Sequence, residues 1–214
     1  MRLATALLLG ALLLPAAAAA AVHRLESEPK VYRLEGAEGL SIEFSVGQLS
    51  VEGDDGDDVR VSVQIRCRQG DLDECQERAR WVTIDRVVSG GRLRLKFNGI
   101  PKTESHGLQV SARLLVPRAL ATRIEMGVGE LTVREMRSPL DLDLGVGELD
   151  VRGPEHAYRS ALAETGVGDA SVRTRAGQVR DRGFIGRSAH WDDGAGASGI
   201  RAHVGVGDAS IDLR

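Results

Sequence analysis

The stretch that decides the fold reads Gly127-Val-Gly-Glu-Leu-Thr-Val133, and the chain soon repeats it as Gly145-Val-Gly-Glu-Leu-Asp-Val151. Three further copies are Val46-Gly-Gln-Leu-Ser-Val51, Gly166-Val-Gly-Asp-Ala-Ser-Val172 and Gly205-Val-Gly-Asp-Ala-Ser-Ile211. A phrase that returns at short intervals is typical of one structural unit stacked on copies of itself. Each copy is therefore interpreted as one rung of a repetitive β-structure.

Apolar residues alternate on both sides of the phrase, but their parity changes within it. In the second copy they occupy Ile124, Met126 and Val128, and then Leu131 and Val133. Side chains alternate between the two faces of a strand, so a parity change indicates a bend, and glycine suits a bend. Each rung is predicted as strand, corner, strand, with its apolar side chains, including Val128 and its counterparts Val46, Val146 and Val206, turned inward. The predicted corner residues are Gly47, Gly129, Glu130, Gly147, Glu148, Gly168, Asp169, Gly207 and Asp208.

These rungs predict an all-β fold, a single-domain parallel β-solenoid (β-helix) with rungs of about 18–21 residues. The last four copies begin 18, 21 and 39 residues apart, and the longest interval predicts a degenerate rung near Gly183 to Gly194. Longer strands are expected over residues 53–116 and regular rungs over residues 117–214. One short helix is predicted near residues 71–82, where Leu72, Cys75, Ala79 and Val82 follow helical spacing.

The N-terminal residues have the features of a targeting segment. Arg2 precedes an apolar run from Leu7 to Leu14, which is followed by Pro15 and alanines up to Ala21. The pattern predicts a signal peptide over residues 1–21, a β-solenoid domain over residues 22–214 and no stable membrane span after cleavage. The protein would then be periplasmic, secreted or at the cell surface. An uncleaved anchor is the alternative, because about 20 apolar residues can span a bilayer.

Charge and composition exclude several classes of function. The formal net charge is −3, and it becomes −4 when Arg2 leaves with the signal peptide, so nucleic acid is not an expected partner. Aromatic residues are few (two Trp, two Tyr and three Phe) beside 26 glycines, which favours a core of small and β-branched residues. The five histidines follow neither zinc-ligand nor triad spacing, and no cofactor is predicted.

Cys67 and Cys75 are predicted to form a disulfide, because an even pair in an exported chain is most simply bonded. Cys67 has the inward parity of the strand that begins at Val59, and Cys75 lies on the apolar stripe of the helix. The bond would tie the helix across the predicted solenoid. A redox or metal-binding pair is the alternative, although no neighbouring histidine supports it.

With these features the chain resembles the bacterial putative-adhesin family of β-solenoid domains, a family of unknown function. The resemblance rests on the repeated phrase and on Val51-Glu-Gly-Asp-Asp-Gly-Asp-Asp-Val-Arg-Val61, an acidic glycine turn between two strands. It covers roughly residues 30–214. The resemblance implies this fold and a location in the cell envelope, and the family supplies no catalytic residue to carry over.

The corner acids are the first candidate site, and their members are Glu130, Glu148, Asp169 and Asp208. Stacked rungs would place them in a ladder about 4.8 Å apart, where like charges repel by about 1 kcal/mol per pair even in bulk water. The ladder is interpreted either as a strip for cations or cationic ligands, or as a surface neutralised by arginines four residues further on, Arg134, Arg152 and Arg173.

Two shorter segments are further candidates. Four carboxylates, those of Asp54, Asp55, Asp57 and Asp58, are either calcium ligands or a plain acidic turn. His190 and Trp191 lie in a glycine-rich stretch and are predicted either to contact a partner or, for Trp191, to plug the end of the core. Because the last phrase ends close to Arg214, its strand is expected at one end of the stack, covered by residues 183–199 or by a partner.

The leading interpretation is a non-catalytic exported protein of the bacterial envelope that acts as a binding or scaffold module. Its predicted partner is an envelope protein or a polysaccharide. The alternative is a polysaccharide-active β-helix enzyme that uses surface carboxylates. Such an enzyme needs long loops to build a cleft, and rungs of 18 to 21 residues leave little chain for them.

Overall fold

The computed structural model describes residues 23–67, 72–100, 108–181 and 185–214. The predicted signal peptide over residues 1–21 lies outside these ranges, as do Asp71 and Gly183. No helix within the described ranges has the length and apolar character needed to cross a membrane.

Strands dominate the described residues, which form one sheet and one α-helix. The elements are β1 (His23–Glu26), β2 (Lys30–Tyr32), β3 (Gly39–Asp54), β4 (Val59–Cys67), α1 (Leu72–Ala79), β5 (Thr83–Ser89), β6 (Arg92–Asn98), β7 (Leu108–Pro117), β8 (Ala121–Arg134), β9 (Leu140–Gly153), β10 (Tyr158–Val167), β11 (Ala170–Arg173), β12 (Gln178–Asp181), β13 (Arg187–Trp191) and β14 (Ser198–Leu213).

The five copies of the repeated phrase lie side by side in the centre of the sheet. Strands β3, β8, β9, β14 and β10 follow one another as parallel neighbours. Beyond its corner, β10 continues as β11, which pairs with the second half of β14. The copies are in register, since Gly47 pairs with Gly129, Gly129 with Gly147, and Gly147 with Gly207. The six strands β3, β8, β9, β14, β10 and β11 are called the parallel segment below.

The sheet as a whole is mixed. At one end β7 is parallel to β3, but β4 is antiparallel to β7, and β1 and β2 are antiparallel to β4. The first half of β3 pairs with β6, which forms an antiparallel pair with β5. At the other end β12 and β13 run antiparallel to β11 and β10. A mostly β fold is therefore confirmed, whereas the finer prediction of a parallel solenoid is not, because of these antiparallel strands.

The order of the rungs in space differs from their order in the chain. Strand β14 carries the fifth copy, yet it lies between β9 and β10, which carry the third and fourth. The expectation that the last copy stands at an end of the stack is wrong. The degenerate rung expected near Gly183 to Gly194 is also wrong for the described residues there, which form β13 and pair antiparallel with β10. This insertion gives β14 a paired neighbour on both sides, so the last strand leaves no open edge.

One hydrophobic core follows the inner face of the sheet. Side chains before the corner, such as Ile124 and Leu144, and after it, such as Leu131, are almost completely buried. The filling is smaller in β10, where Ala161 and Ala163 face inward. Trp191 of β13 is the register partner of Ala161 and is only 9% exposed, so a large side chain compensates for a small one.

A buried tyrosine closes the core beside β10. The Tyr158 hydroxyl is inaccessible to solvent and donates a hydrogen bond of 2.7 Å to the carbonyl oxygen of Met136. Burial raises the pKa of Tyr158 far above its ordinary value, with a smaller contribution from the charge of Glu135. The bond satisfies a polar group that would be costly to bury alone.

The predicted disulfide between Cys67 and Cys75 is confirmed, with a Cα–Cα distance of 5.8 Å. It joins the end of β4 to α1, which is shorter than the predicted helix and begins at Leu72 within the described residues. Both cysteines are buried, but Leu72 is 43% exposed, so only part of the predicted apolar stripe faces the sheet.

The corner glycines let neighbouring rungs approach each other closely. Gly129 and Gly147 have φ values of +133° and +139°, a region that residues with a Cβ rarely adopt. A Cβ on Gly147 would collide with the carbonyl oxygen of Gly129, and a Cβ on Gly129 with that of Gly47. The same two constraints hold at the other corners, at Gly47, Gly168 and Gly207.

Removal of the disulfide should destabilise the protein without unfolding it at room temperature. We expect Cys67→Ser with Cys75→Ser to lower the free energy of unfolding by about 2.5 kcal/mol, because a short loop in the unfolded chain is no longer closed. Urea unfolding of both proteins measures the difference. An unchanged unfolding midpoint, or two free thiols in protein isolated without reductant, contradicts this expectation.

Substitution at a corner should cost more than substitution at a turn glycine of similar backbone conformation. Gly147→Ala at φ +139° forces both a strained backbone and a collision with the neighbouring rung, whereas Gly177→Ala at φ +155° meets only open space. We expect Gly177→Ala to cost about 1 to 3 kcal/mol from backbone strain alone and Gly147→Ala to cost at least about 2 kcal/mol more. Thermal unfolding of the two variants compares them, and equal losses would refute the role of close rung contact.

Candidate functional site

Each corner turns four consecutive side-chain positions to the outside of the sheet. In β8 the last inward side chain before the corner is Met126 and the first after it is Leu131. Between them lie a glycine, a valine, a second glycine and an acid, all on the outer side. The corner therefore begins earlier than the sequence predicts, which is why the valine leaves the core.

The corner valines are exposed, so the prediction that they face the interior is wrong. Val128, Val146, Val167 and Val206 are 42%, 45%, 44% and 48% exposed, while Val46 of the first rung is half-buried. They are register partners across adjacent strands, in the spatial order Val46, Val128, Val146, Val206 and Val167. The corner thus carries a continuous row of apolar side chains, flanked by glycines that leave it uncovered.

The predicted acid ladder lies beside this row. Gln48 pairs in register with Glu130, Glu130 with Glu148, and Glu148 with Asp208, while Asp169 lies beside Asp208 between β10 and β11. The Gln48 amide donates to Glu130 Oε2 at 2.7 Å, and the Asp169 N–H donates to Asp208 Oδ1 at 2.9 Å. We refer to the five valines and four acids together as the corner stripe.

The arginines expected to neutralise the ladder do not do so. Arg152 pairs with Asp150 at 2.9 Å, and that hydrogen bond raises the pKa of the Arg152 guanidinium above its ordinary value. Arg173 lies 3.8 Å from Asp212, and Arg134 is exposed. Among the residues that the structure describes, Glu130, Glu148, Asp169 and Asp208 form no ion pair.

The acids of the flat outer face are in a different situation, because basic side chains lie beside them. On the face before the corner, Arg123 contacts both Glu125 at 3.0 Å and Asp141 at 3.1 Å. Glu43 lies 3.4 Å from Lys96. Most carboxylates of this face thus have a basic neighbour, whereas the four corner acids have none among the described residues; Glu164 of β10 is the exception on the face before the corner.

The acidic turn has a structural explanation in local bonds. Asp54 Oδ2 accepts the Gly56 N–H at 2.9 Å and pairs with Arg60, and these contacts hold the pKa of Asp54 below its ordinary value, the Gly56 bond contributing most. Asp55 pairs with Arg118 at 2.7 Å. Within the described ranges no three His, Cys, Asp or Glu residues lie close enough together to hold a metal ion, Asp57 and Asp58 included.

His190 and Trp191 point to opposite sides of β13. Trp191 is directed into the core, and His190 is exposed. A partner contact at this strand would therefore involve His190 and not the tryptophan ring.

Sequence reasoning also missed an apolar cavity at the β4 end of the molecule. Its volume is about 210 Å³, and it lies between β1, β4, α1 and β5. Its lining includes Leu25, Val63, Ile65, Ala79 and Ile84. The alternation of β4 indicated inward side chains there, but not that the antiparallel strands beside them would leave a space.

Comparison with known proteins shows a likeness of fold. No protein-family model and no curated protein matches the sequence. The crystal structure of a putative cell adhesion protein from Clostridium sporogenes superposes with a TM-score of 0.54 at 18% identity, over 90% of this chain and 100% of that chain. A putative lipid binding protein from Parabacteroides distasonis (TM-score 0.25, 11% identity, 90% and 97% covered) and a putative adhesin from Parabacteroides merdae (TM-score 0.25, 9% identity, 88% and 96% covered) are more remote. At these identities the likeness to the clostridial protein concerns the fold alone.

Proposed function

We propose that this chain is a non-catalytic, exported binding or scaffold module of the bacterial cell envelope, with an adhesin-like role. The observation that carries the proposal is the repeated corner, which presents a valine and a polar side chain outward from each of five rungs in register, the polar side chain being an acid in four of them. A rigid row of repeated groups offers many equivalent contacts to an extended partner.

Export is supported by two independent features. The Cys67–Cys75 disulfide suits an oxidising compartment such as the periplasm or the cell surface. The N-terminal residues have the composition of a signal peptide, and we propose cleavage after Ala21 with a domain over residues 22–214. The name of the clostridial protein of similar fold, a putative cell adhesion protein, is consistent with an envelope role.

We also propose that the chain belongs with the putative-adhesin domains and that its parallel segment is a solenoid-type stack. On this view the antiparallel strands at both ends are additions that cover the stack. Such covering supports a monomeric module, because an open strand edge would invite association.

A polysaccharide-active enzyme is a less suitable interpretation. Catalysis on glycosidic bonds uses two carboxyl groups that face each other across a cleft. The corner acids instead lie in one row on the outer side of the corners, and acids of the flat face, such as Glu125 and Asp141, contact Arg123. These positions support a role in binding.

Binding without turnover is the expected behaviour of the exported protein. We expect the labelled chain, purified after export, to bind saturably to envelopes from cells that lack its gene, and unlabelled chain should compete with it. Incubation of the same envelopes with the protein should release no new reducing ends. Absence of saturable binding contradicts the proposed function. Release of reducing ends that is lost in a Glu125→Gln, Asp141→Asn variant would favour the enzyme.

A further inference from the structure

We propose that the corner stripe binds an extended, basic segment of a partner protein that also carries apolar side chains. This inference rests on the proposed function as a binding module and names the chemistry of its partner. Two properties of the stripe support it, namely the exposed valines and the unpaired acids beside them.

The apolar part of the stripe is continuous along the parallel segment. Four of its valines are between 42% and 48% exposed, and strand spacing sets them about 4.8 Å apart. Ile185 extends the row at one end. It is 78% exposed, and its neighbour Gly186 donates its N–H to the Gly166 carbonyl at 2.8 Å. Contiguous exposed apolar surface of this kind is typical of an interaction site.

The charge of the stripe selects the partner. Within the described residues the four corner acids have no ionic partner, although Arg134 and Arg152 follow two of them closely in the chain. Carboxylates in register repel one another, and a cationic partner bound beside them reduces this repulsion. A second copy of this chain would bring one acid row against another, and an anionic bilayer would also be repelled. Lysine or arginine side chains are therefore the groups that the stripe would recognise.

The spacing of the stripe suits an extended chain that crosses the rungs. An extended peptide in the polyproline II conformation completes a turn in three residues and advances about 9.3 Å, so residues three apart lie on the same side, and two rungs advance about 9.6 Å. A basic residue and an apolar residue repeated every three positions would therefore meet an acid and a valine at every second rung. A free sheet edge is not required, because the contacts are made by side chains.

A synthetic peptide with four Lys-Val-Ser repeats tests this inference by fluorescence anisotropy. We expect saturable binding to the exported chain that weakens as salt increases. The variant Glu130→Gln, Glu148→Gln, Asp208→Asn should bind about tenfold more weakly, and Val128→Thr, Val146→Thr, Val206→Thr should also lose affinity about tenfold. These positions are exposed, so unfolding curves should confirm that both variants keep the fold.

The matched control removes three acids from the flat face beside the corner, with Glu43→Gln, Glu125→Gln and Asp143→Asn. This variant has the same net charge as the acid variant, and we expect a change in affinity of less than about twofold. If the control loses as much affinity for the peptide as the corner-acid variant does, net charge alone explains the binding and the inference is overturned. It is also overturned if the valine variant binds as the wild type does, or if the wild type does not bind the peptide.

The envelope assay separates this inference from the proposed function. If the wild type and both stripe variants bind envelopes equally, the function stands and the stripe is not the site. If the wild type binds no envelope, the proposed function itself fails. Envelope binding that falls in both stripe variants but not in the control supports both proposals.

Discussion

The close approach of the backbone at the corners is the constraint on which the rest of the structure depends. At each corner a glycine with a positive φ lies against a backbone carbonyl group of the neighbouring strand, so that no Cβ fits between them. The first copy departs from the phrase at one position. Ser45 stands where the later copies have a glycine, and within the described residues the pairing of β6 with β3 stops at Glu43. The glycine with the positive φ is present in all five copies, as Gly47, Gly129, Gly147, Gly168 and Gly207.

The sequence predicts the local structure well because the local signals are strong. The alternation from Val59 to Cys67 is one strand, and the helical spacing near Cys75 marks the helix and the inward direction of both cysteines. The five corners are visible because glycine and parity change together. These features depend on residues that are close together in the chain, and at each of them the local sequence preference agrees with the structure that forms.

What the sequence did not predict depends on contacts between distant residues. The phrases around Gly166 and Gly205 are almost identical, so nothing in them determines which one lies next to the third rung. The antiparallel return of β13 along β10 leaves β14 to fill the position between β9 and β10. The inward direction predicted for Val128 was wrong for a different reason. Alternation indicates which side chains share a face of a straight strand, but it does not indicate the residue at which a corner begins.

The placement of charge connects this architecture to function. The flat face carries mixed charges in contact with one another, as at Arg123, and isolated surface pairs of this type contribute little to stability. The corner carries four acids without an ionic partner among the described residues, beside four exposed valines. A protein that needed only to fold would gain nothing from exposed valines beside unpaired acids, so the corner is the part of the molecule best explained by a partner.

Cross-linking between exposed corner positions tests the central claim, that the rungs stack in register with the fifth copy between the third and fourth. Adjacent rungs place Cα atoms about 4.8 Å apart, within the range of a disulfide, whereas rungs two apart are separated by about 9.6 Å. After mild oxidation, Val146→Cys with Val206→Cys should form a bond that alkylation and mass spectrometry detect, and Val146→Cys with Val167→Cys should keep two free thiols. The opposite result, with the bond in the second pair only, would contradict this arrangement.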